Sequence, residues 1–247
     1  MNSDSHSQAK PSHPNSAAQV SDSTLSATKE QRLVFEPIEG LLASLDQLSV
    51  AVAGPILHLR LNRPAKRNAI SDVLVQQVHT AFLNLPDSTK VVILSGEGSH
   101  FCAGLDLGEV GKSGAEHGMW HSRSWHSAFN AIQFGPVPVI AVLHGAVVGG
   151  GLEIAAACHL RVAESSAYFG LPEGQRGLFV GGGGSVRIPR MIGVSRMTDM
   201  PVTSWKGRVL ISAPASATPM MMLRPQPLCV HSSAWRITFV LPMHSKL

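Results

Sequence analysis

Leu57, Leu59 and Leu61 alternate with His58, Arg60 and Asn62 until Pro64 closes the run, so the chain from Ile56 onward predicts a half-buried β-strand. Ser71 follows as a candidate N-cap. Behind it Leu74, Val78, Ala81, Phe82 and Leu85 fall at helical spacing and Pro86 ends the pattern, which predicts one amphipathic helix. The apolar runs Val91 to Ser95 and Val137 to Leu143 predict two further strands, the first entering Gly96 and Gly98, the second a turn around Gly145. From Gly149 to Cys158 the pattern predicts a helix opened by glycines. Strands alternating with helices imply an α/β protein with a mainly parallel sheet and crossover connections. No internal repeat is visible.

The flanks differ from this centre. Residues 1 to about 30 are rich in Ser, Ala, Asn, Gln and Pro and poor in large apolar side chains, too few to offset the entropy of ordering the chain. Residues 201–247 lack a helical period, carry repeated prolines and contain the run Met220-Met221-Met222. The expected organisation is a disordered tail over 1–48, a folded core over 49–200 and a poorly ordered C-terminal tail over 201–247.

A length of 247 residues with 44% hydrophobic content fits one domain with a substantial core. The net charge of +4 is scattered rather than gathered into blocks, which argues against a nucleic-acid partner. Cys102, Cys158 and Cys229 are too few and too far apart for a disulfide framework or a zinc site and fit a reducing compartment. Gly, Pro, His or charge interrupts every apolar stretch before it reaches membrane-spanning length, so no membrane partner is expected. The N-terminal stretch lacks Arg and contains Asp4, Asp22 and Glu30, which makes it a poor transit peptide. A cytoplasmic location is expected, with a peroxisomal one as the alternative in a eukaryote because the chain ends Ser245-Lys246-Leu247.

Some apparent motifs fail on spacing. Gly108 to Ser113 reads GEVGKS, but the first glycine of a phosphate-binding loop would fall at Asp106. A dinucleotide fingerprint fails because Ile154 stands where the third glycine after Gly149 and Gly151 belongs. His117 and His121 can share one helix face as metal ligands, but no carboxylate at suitable spacing completes a site. With Trp120 and Trp125 beside them, a half-buried helix surface is the better expectation and no metal is expected.

Three segments remain. Phe101-Cys102-Ala103-Gly104-Leu105-Asp106 forms a glycine-containing turn after a strand, where main-chain N–H groups can point outward. Gly149-Gly150-Gly151-Leu152-Glu153 opens a helix, whose first N–H groups have no internal partner and whose dipole favours negative charge. Leu171-Pro172-Glu173-Gly174 carries a carboxylate in a turn shortly after another short strand. Two such N–H donors from separate loops can make an oxyanion hole.

In this order, and with the entry segment Leu61-Asn62-Arg63-Pro64 through Arg67-Asn68-Ala69, these motifs resemble the enoyl-CoA hydratase/isomerase, or crotonase, family from about Val50 to Met200. The resemblance implies a crotonase-like (ClpP/crotonase) α/β spiral of ββα units, with the C-terminal helical part missing or replaced. It implies an enzyme that adds water to a 2-enoyl-CoA thioester, with Leu105 and Gly150 as oxyanion-hole donors. Glu153 and Glu173 are the implied catalytic pair, the first mainly activating water and the second mainly protonating the α-carbon. Arg67, Asn68, Ala69, Ala103, Gly104, Asp106 and Gly149 are the implied coenzyme A and substrate contacts. No cofactor is implied, because coenzyme A is part of the substrate. The implied partners are an acyl-CoA thioester and copies of the same chain in a trimer or hexamer. Enoyl-CoA isomerisation, another crotonase-type acyl-CoA reaction, and a truncated, non-catalytic CoA-binding subunit are the alternatives. The chain departs from the family where Gly181 to Gly184 run into Ser185-Val186-Arg187-Ile188-Pro189, and again after Met200.

Overall fold

The computed structural model describes residues 33–109 and 114–200, all within one compact unit. The expected tails over residues 1–32 and 201–247, and the end of the GEVGKS stretch, lie outside the described residues. Among those described, the strands are β1 (Glu36–Pro37), β2 (Leu48–Ala53), β3 (Ile56–Leu61), β4 (Val91–Gly96), β5 (Val139–Leu143), β6 (Ala146–Val148), β7 (Leu160–Ala163) and β8 (Tyr168–Gly170). The helices are α1 (Asp72–Leu83), α2 (Ala115–Gln133), α3 (Gly150–Ala157), α4 (Gly184–Ile192) and α5 (Val194–Asp199).

The larger sheet runs β1-β2-β3-β4-β5-β7, and β6 pairs with β8 in a second, two-stranded sheet. From β3 through β4 and β5 to β7 the pairing is parallel, as helical crossovers require. The β1, β2 and β3 end is antiparallel instead. There Ala53 faces Ile56 across Gly54 and Pro55, and a two-residue hairpin of that kind can join only antiparallel strands. The strands' burial follows their patterns. β3 alternates between partly exposed and buried residues, whereas all of β5 is buried, as its unbroken apolar run requires of a strand covered on both faces.

The ordered core begins before residue 49. β1 pairs with β2, and Leu42, Leu45 and Leu48 are buried in the core, so the part of the expected tail from residue 33 onward belongs to the fold. Its leucines are spaced by a short 3₁₀ turn, Gly40–Ser44, a period that neither the helical nor the strand template matches.

α1 starts where its cap predicts. The Ser71 hydroxyl accepts from Leu74 N–H at 3.1 Å and donates to Gln47 Oε1 at 2.6 Å, so one buried side chain both caps the helix and ties it to the segment before β2. α3 is buried along its whole length, the position of a helix wedged between the sheet and its neighbours rather than lying on a surface. Replacing Ser71 with Ala should lower unfolding free energy by about 1–2 kcal/mol, read as a shift of the urea midpoint at unchanged slope.

Candidate active site

A cavity of about 360 Å³ opens where the turn after β4, the start of α3, the turn after β8 and the middle of α2 converge. Short-range pairing assembles it. Cys102 bridges to Val147 in β6, Ile70 bridges to Leu105, and β6 pairs in register with β8 immediately before Leu171. Three loops far apart in sequence are thus registered against one another by main-chain hydrogen bonds.

The glycines at the head of α3 are required by close approach. A Cβ on Gly150 would stand 2.6 Å from the Trp125 ring, one on Gly151 2.5 Å from the Cys102 carbonyl oxygen, and one on Gly149 would collide with Glu173 Oε1. Gly149 also has φ +54°, a region that disfavours residues with a side chain. The first α3 turn bonds Leu152 and Glu153 N–H back to the Gly149 carbonyl, which leaves Gly150 N–H ahead of the first helical hydrogen bond. Across from it, Ile70 N–H donates to the Gly104 carbonyl and Asp106 N–H to the Ile70 carbonyl. In such a parallel bridge the N–H of the intervening Leu105 points away from Ile70. Leu105 and Gly150 both line the cavity, and a Cβ on Gly104 would lie 3.5 Å from Gly150 N.

Glu153 and Glu173 line the same cavity. Glu153 Oε1 accepts from Gly182 N–H at 2.8 Å and Gly184 N–H at 2.9 Å. That glycine loop is held by Arg187, which donates to the Gly182 carbonyl and to Gln133 and Asn130 of α2. Burial pushes the Glu153 carboxyl up to about 7; the Gly184 and Gly182 N–H groups and Arg187 pull it down, and the Glu173 charge pushes it further up. Glu173 sits on a 3₁₀ turn, Pro172–Arg176, and burial raises its carboxyl as well, against its own backbone hydrogen bond and Arg176. Its Oε2 is buried with no hydrogen-bond partner among the described residues.

Of the other residues singled out in the sequence, Ala103, Gly104 and Gly149 line the cavity, whereas Arg67, Asn68, Ala69 and Asp106 do not. Asn68 is fully buried, and its amide joins Arg63 N–H, the Glu97 carbonyl and the His100 carbonyl. The Ala69 carbonyl accepts from the Arg63 guanidinium, which also meets Asp106 at 2.9 Å. That hydrogen bond holds the Asp106 carboxyl below its usual range. Asn68, Ala69 and Asp106 therefore brace the turn that presents Leu105 from behind the cavity wall. Arg67 is exposed, and its carbonyl accepts from Ala103 N–H.

Residue spacing did not reveal the opposite wall. Trp125, His117 and His121 of α2 and Gly182 also line the cavity. An aromatic and two histidines one turn apart fit a half-buried helix equally well, and a glycine loop carries no side chain to mark it as a carboxylate's partner.

A family model described as enoyl-CoA hydratase/isomerase matches residues 52–208. The fold is crotonase-like, and the chain belongs to the enoyl-CoA hydratase/isomerase family. It is 42% identical over 174 residues to "Enoyl-CoA hydratase domain-containing protein 2, mitochondrial" of Bos taurus, covering 68% of this chain and 57% of that one. It is 42% identical over 160 residues to the human protein of that name, covering 62% and 54%. The chain thus spans a little over half the length of these curated relatives. A solved structure from Rhodopseudomonas palustris, assigned provisionally as an enoyl-CoA hydratase, shares 52% identity at a TM-score of 0.63, covering 70% of this chain and 66% of that one. An enoyl-CoA hydratase of Bacillus anthracis superposes at 0.60 with 33% identity, covering 68% and 65%.

The relatives overturn the expected cytoplasmic or peroxisomal location, since the mammalian proteins, that of Mus musculus included, are named mitochondrial. Arg-poor composition near one end and a three-residue ending are weak signals beside similarity over most of the folded core. Among the described residues, no helix is long and apolar enough to cross a membrane.

Because the Glu153 carboxyl is raised from 4.5 in the unfolded chain to about 7, the native state binds the extra proton between those values and loses that stabilisation as pH rises through 7. Glu153→Gln should remove the decline, giving a flatter profile of unfolding free energy across that window in denaturant titrations at successive pH values.

Proposed function

We propose that this chain hydrates a 2-enoyl-CoA thioester. The observation that carries the reading is that two half-buried or buried carboxylates and two outward main-chain N–H groups share one cavity. With the thioester oxygen between Leu105 N–H and Gly150 N–H, negative charge that develops there as the double bond is attacked meets fixed dipoles. Losing one such donor typically costs about 3 kcal/mol of transition-state stabilisation.

Glu153 suits the base. Its carboxyl titrates at about 7, near the pH at which a group can both be ionised and accept a proton effectively. Two coupled carboxyls in a desolvated site favour holding one proton between them, and the reactive form is the one with Glu153 ionised and that proton on Glu173, from which the α-carbon receives it. Water adds its oxygen to the β-carbon and gives its proton to Glu153. Glu173 delivers a proton to the α-carbon, and proton exchange with solvent resets the pair. The carbonyl, the water and the two carbon atoms account for the whole reaction, and no cofactor takes part.

Arg176 on the cavity wall and the exposed Arg67 outside it offer positive charge that suits the phosphates of coenzyme A, and Ala103 and Gly104 offer main chain along the cavity wall. The mitochondrial naming of the mammalian relatives supports action in that compartment. Assembly into a trimer or hexamer, as the resemblance implies, is part of the same proposal.

Glu153→Gln and Glu173→Gln should each reduce hydration of crotonyl-CoA at least about a hundredfold while leaving CoA binding nearly intact. If Glu173→Gln retains native turnover, the hydration assignment fails and double-bond isomerisation becomes the better reading. In the native protein, kcat/KM should fall as pH drops below about 7, where Glu153 takes up its proton.

A further inference from the structure

His117 and His121 lie one helical turn apart on α2, so their side chains project from one face. Spacing within that helix supplies no carboxylate to accompany them. The fold does, because α1 packs against α2 and brings Asp72, the first residue of α1, to the same place. His121 Nδ1 lies 2.6 Å from Asp72 Oδ1, and His117 Nε2 lies 3.5 Å from Asp72 Oδ2. One ligand atom from each residue falls within 4.8 Å of the other two, the one such grouping among the described residues.

We propose that Asp72, His117 and His121 bind a divalent transition metal of the zinc class at the rim of the cavity, with its remaining coordination positions turned toward the cavity. Two imidazoles and a carboxylate are the donor set that zinc accepts in three-ligand sites, where a further position stays open. Zinc–ligand bonds of about 2.0–2.1 Å in tetrahedral geometry place donors roughly 3.3 Å apart. One candidate ligand atom from each residue already lies within 4.8 Å of the other two, so closing the site asks the side chains to draw in by about 1.5 Å at most. The ring planes are already restrained. His121 packs at 5.2 Å from the ring of Trp125, which is buried, and His117 at 5.7 Å from Trp120. On the carboxylate side, Asp72 N–H donates to Glu109 Oε2 at 2.9 Å, and Ser71 caps the helix on which Asp72 sits. Supports of this kind orient metal ligands and fix their geometry.

The competing explanation is a hydrogen-bonded clamp joining α1 to α2. Such a clamp needs one histidine on one carboxylate oxygen. Here each carboxylate oxygen faces a different imidazole, and both histidines also line the cavity. An open position there would face whatever enters. The proposal does not depend on the hydratase reading, because it concerns metal binding by residues outside the carboxylate pair.

The test is equilibrium dialysis of the chelator-stripped full chain against Zn²⁺, with Co²⁺ absorption as a report on coordination. One metal per chain is expected, with the visible bands of a four- or five-coordinate cobalt site. Affinity should fall at least about tenfold in His117→Ala, in His121→Ala and in Asp72→Asn. His117 is the most exposed of the three side chains, so its variant tests the site with least risk to folding. Circular dichroism checks that each variant is folded, and His126→Ala, on the same helix but outside the cluster, should bind as the native chain does. Absence of saturable binding, undiminished binding in Asp72→Asn, or equal loss in His126→Ala would overturn the proposal.

Discussion

The start of α3 is where the backbone comes closest to its neighbours, and the site depends on that crowding. Gly149, Gly150 and Gly151 stand where Cβ atoms would strike the Glu173 carboxylate, the Trp125 ring and the Cys102 carbonyl. Without side chains, the head of the helix can be enclosed on three sides while Gly150 N–H still faces the cavity. The same enclosure buries Glu153 in the first turn of a helix with no exposed residue. A methyl group at any of these positions would force apart the elements that define the cavity.

Electrostatics follow from that burial. A carboxylate taken out of water is costly unless donors replace its hydration, and here Gly182 and Gly184 N–H groups supply them to one oxygen. They offset the cost only in part, which is why Glu153 remains raised to about 7 rather than returning to the ordinary carboxylate range. Arg187 anchors the glycine loop to α2, so the helix that forms the far wall also sets how well Glu153 is solvated by the protein. Acid–base capacity and fold are joined through those contacts.

Much of this was readable in the sequence where periodicity or punctuation is strong. The Ile56 to Leu61 alternation, the Ser71 cap and the apolar run into Leu143 correspond to β3, the start of α1 and β5. β2 fell at the edge of an assumed tail, and β6 is three residues long, too short to show a period. Among the site residues, Glu153 and Glu173 stood out because glycine and proline mark their turns. Asn68 and Asp106 were expected as coenzyme A and substrate contacts, whereas their place behind the cavity wall rests on long-range hydrogen bonds to Arg63, Glu97 and His100, which no local pattern encodes. The convergence of Asp72 with His117 and His121 was invisible for the same reason. Helix packing brings the carboxylate, and no spacing rule within α2 can anticipate it.

The central claim is that the paired carboxylates deliver the elements of water across a thioester-activated double bond. Its most direct test is mass spectrometry of the acyl product after the native chain acts on crotonyl-CoA in oxygen-labelled water. The account predicts a hydroxyacyl thioester carrying one labelled oxygen, formed by the native chain and not by a Glu153→Gln, Glu173→Gln double variant. Recovery of substrate with its double bond moved and no oxygen gained would contradict it.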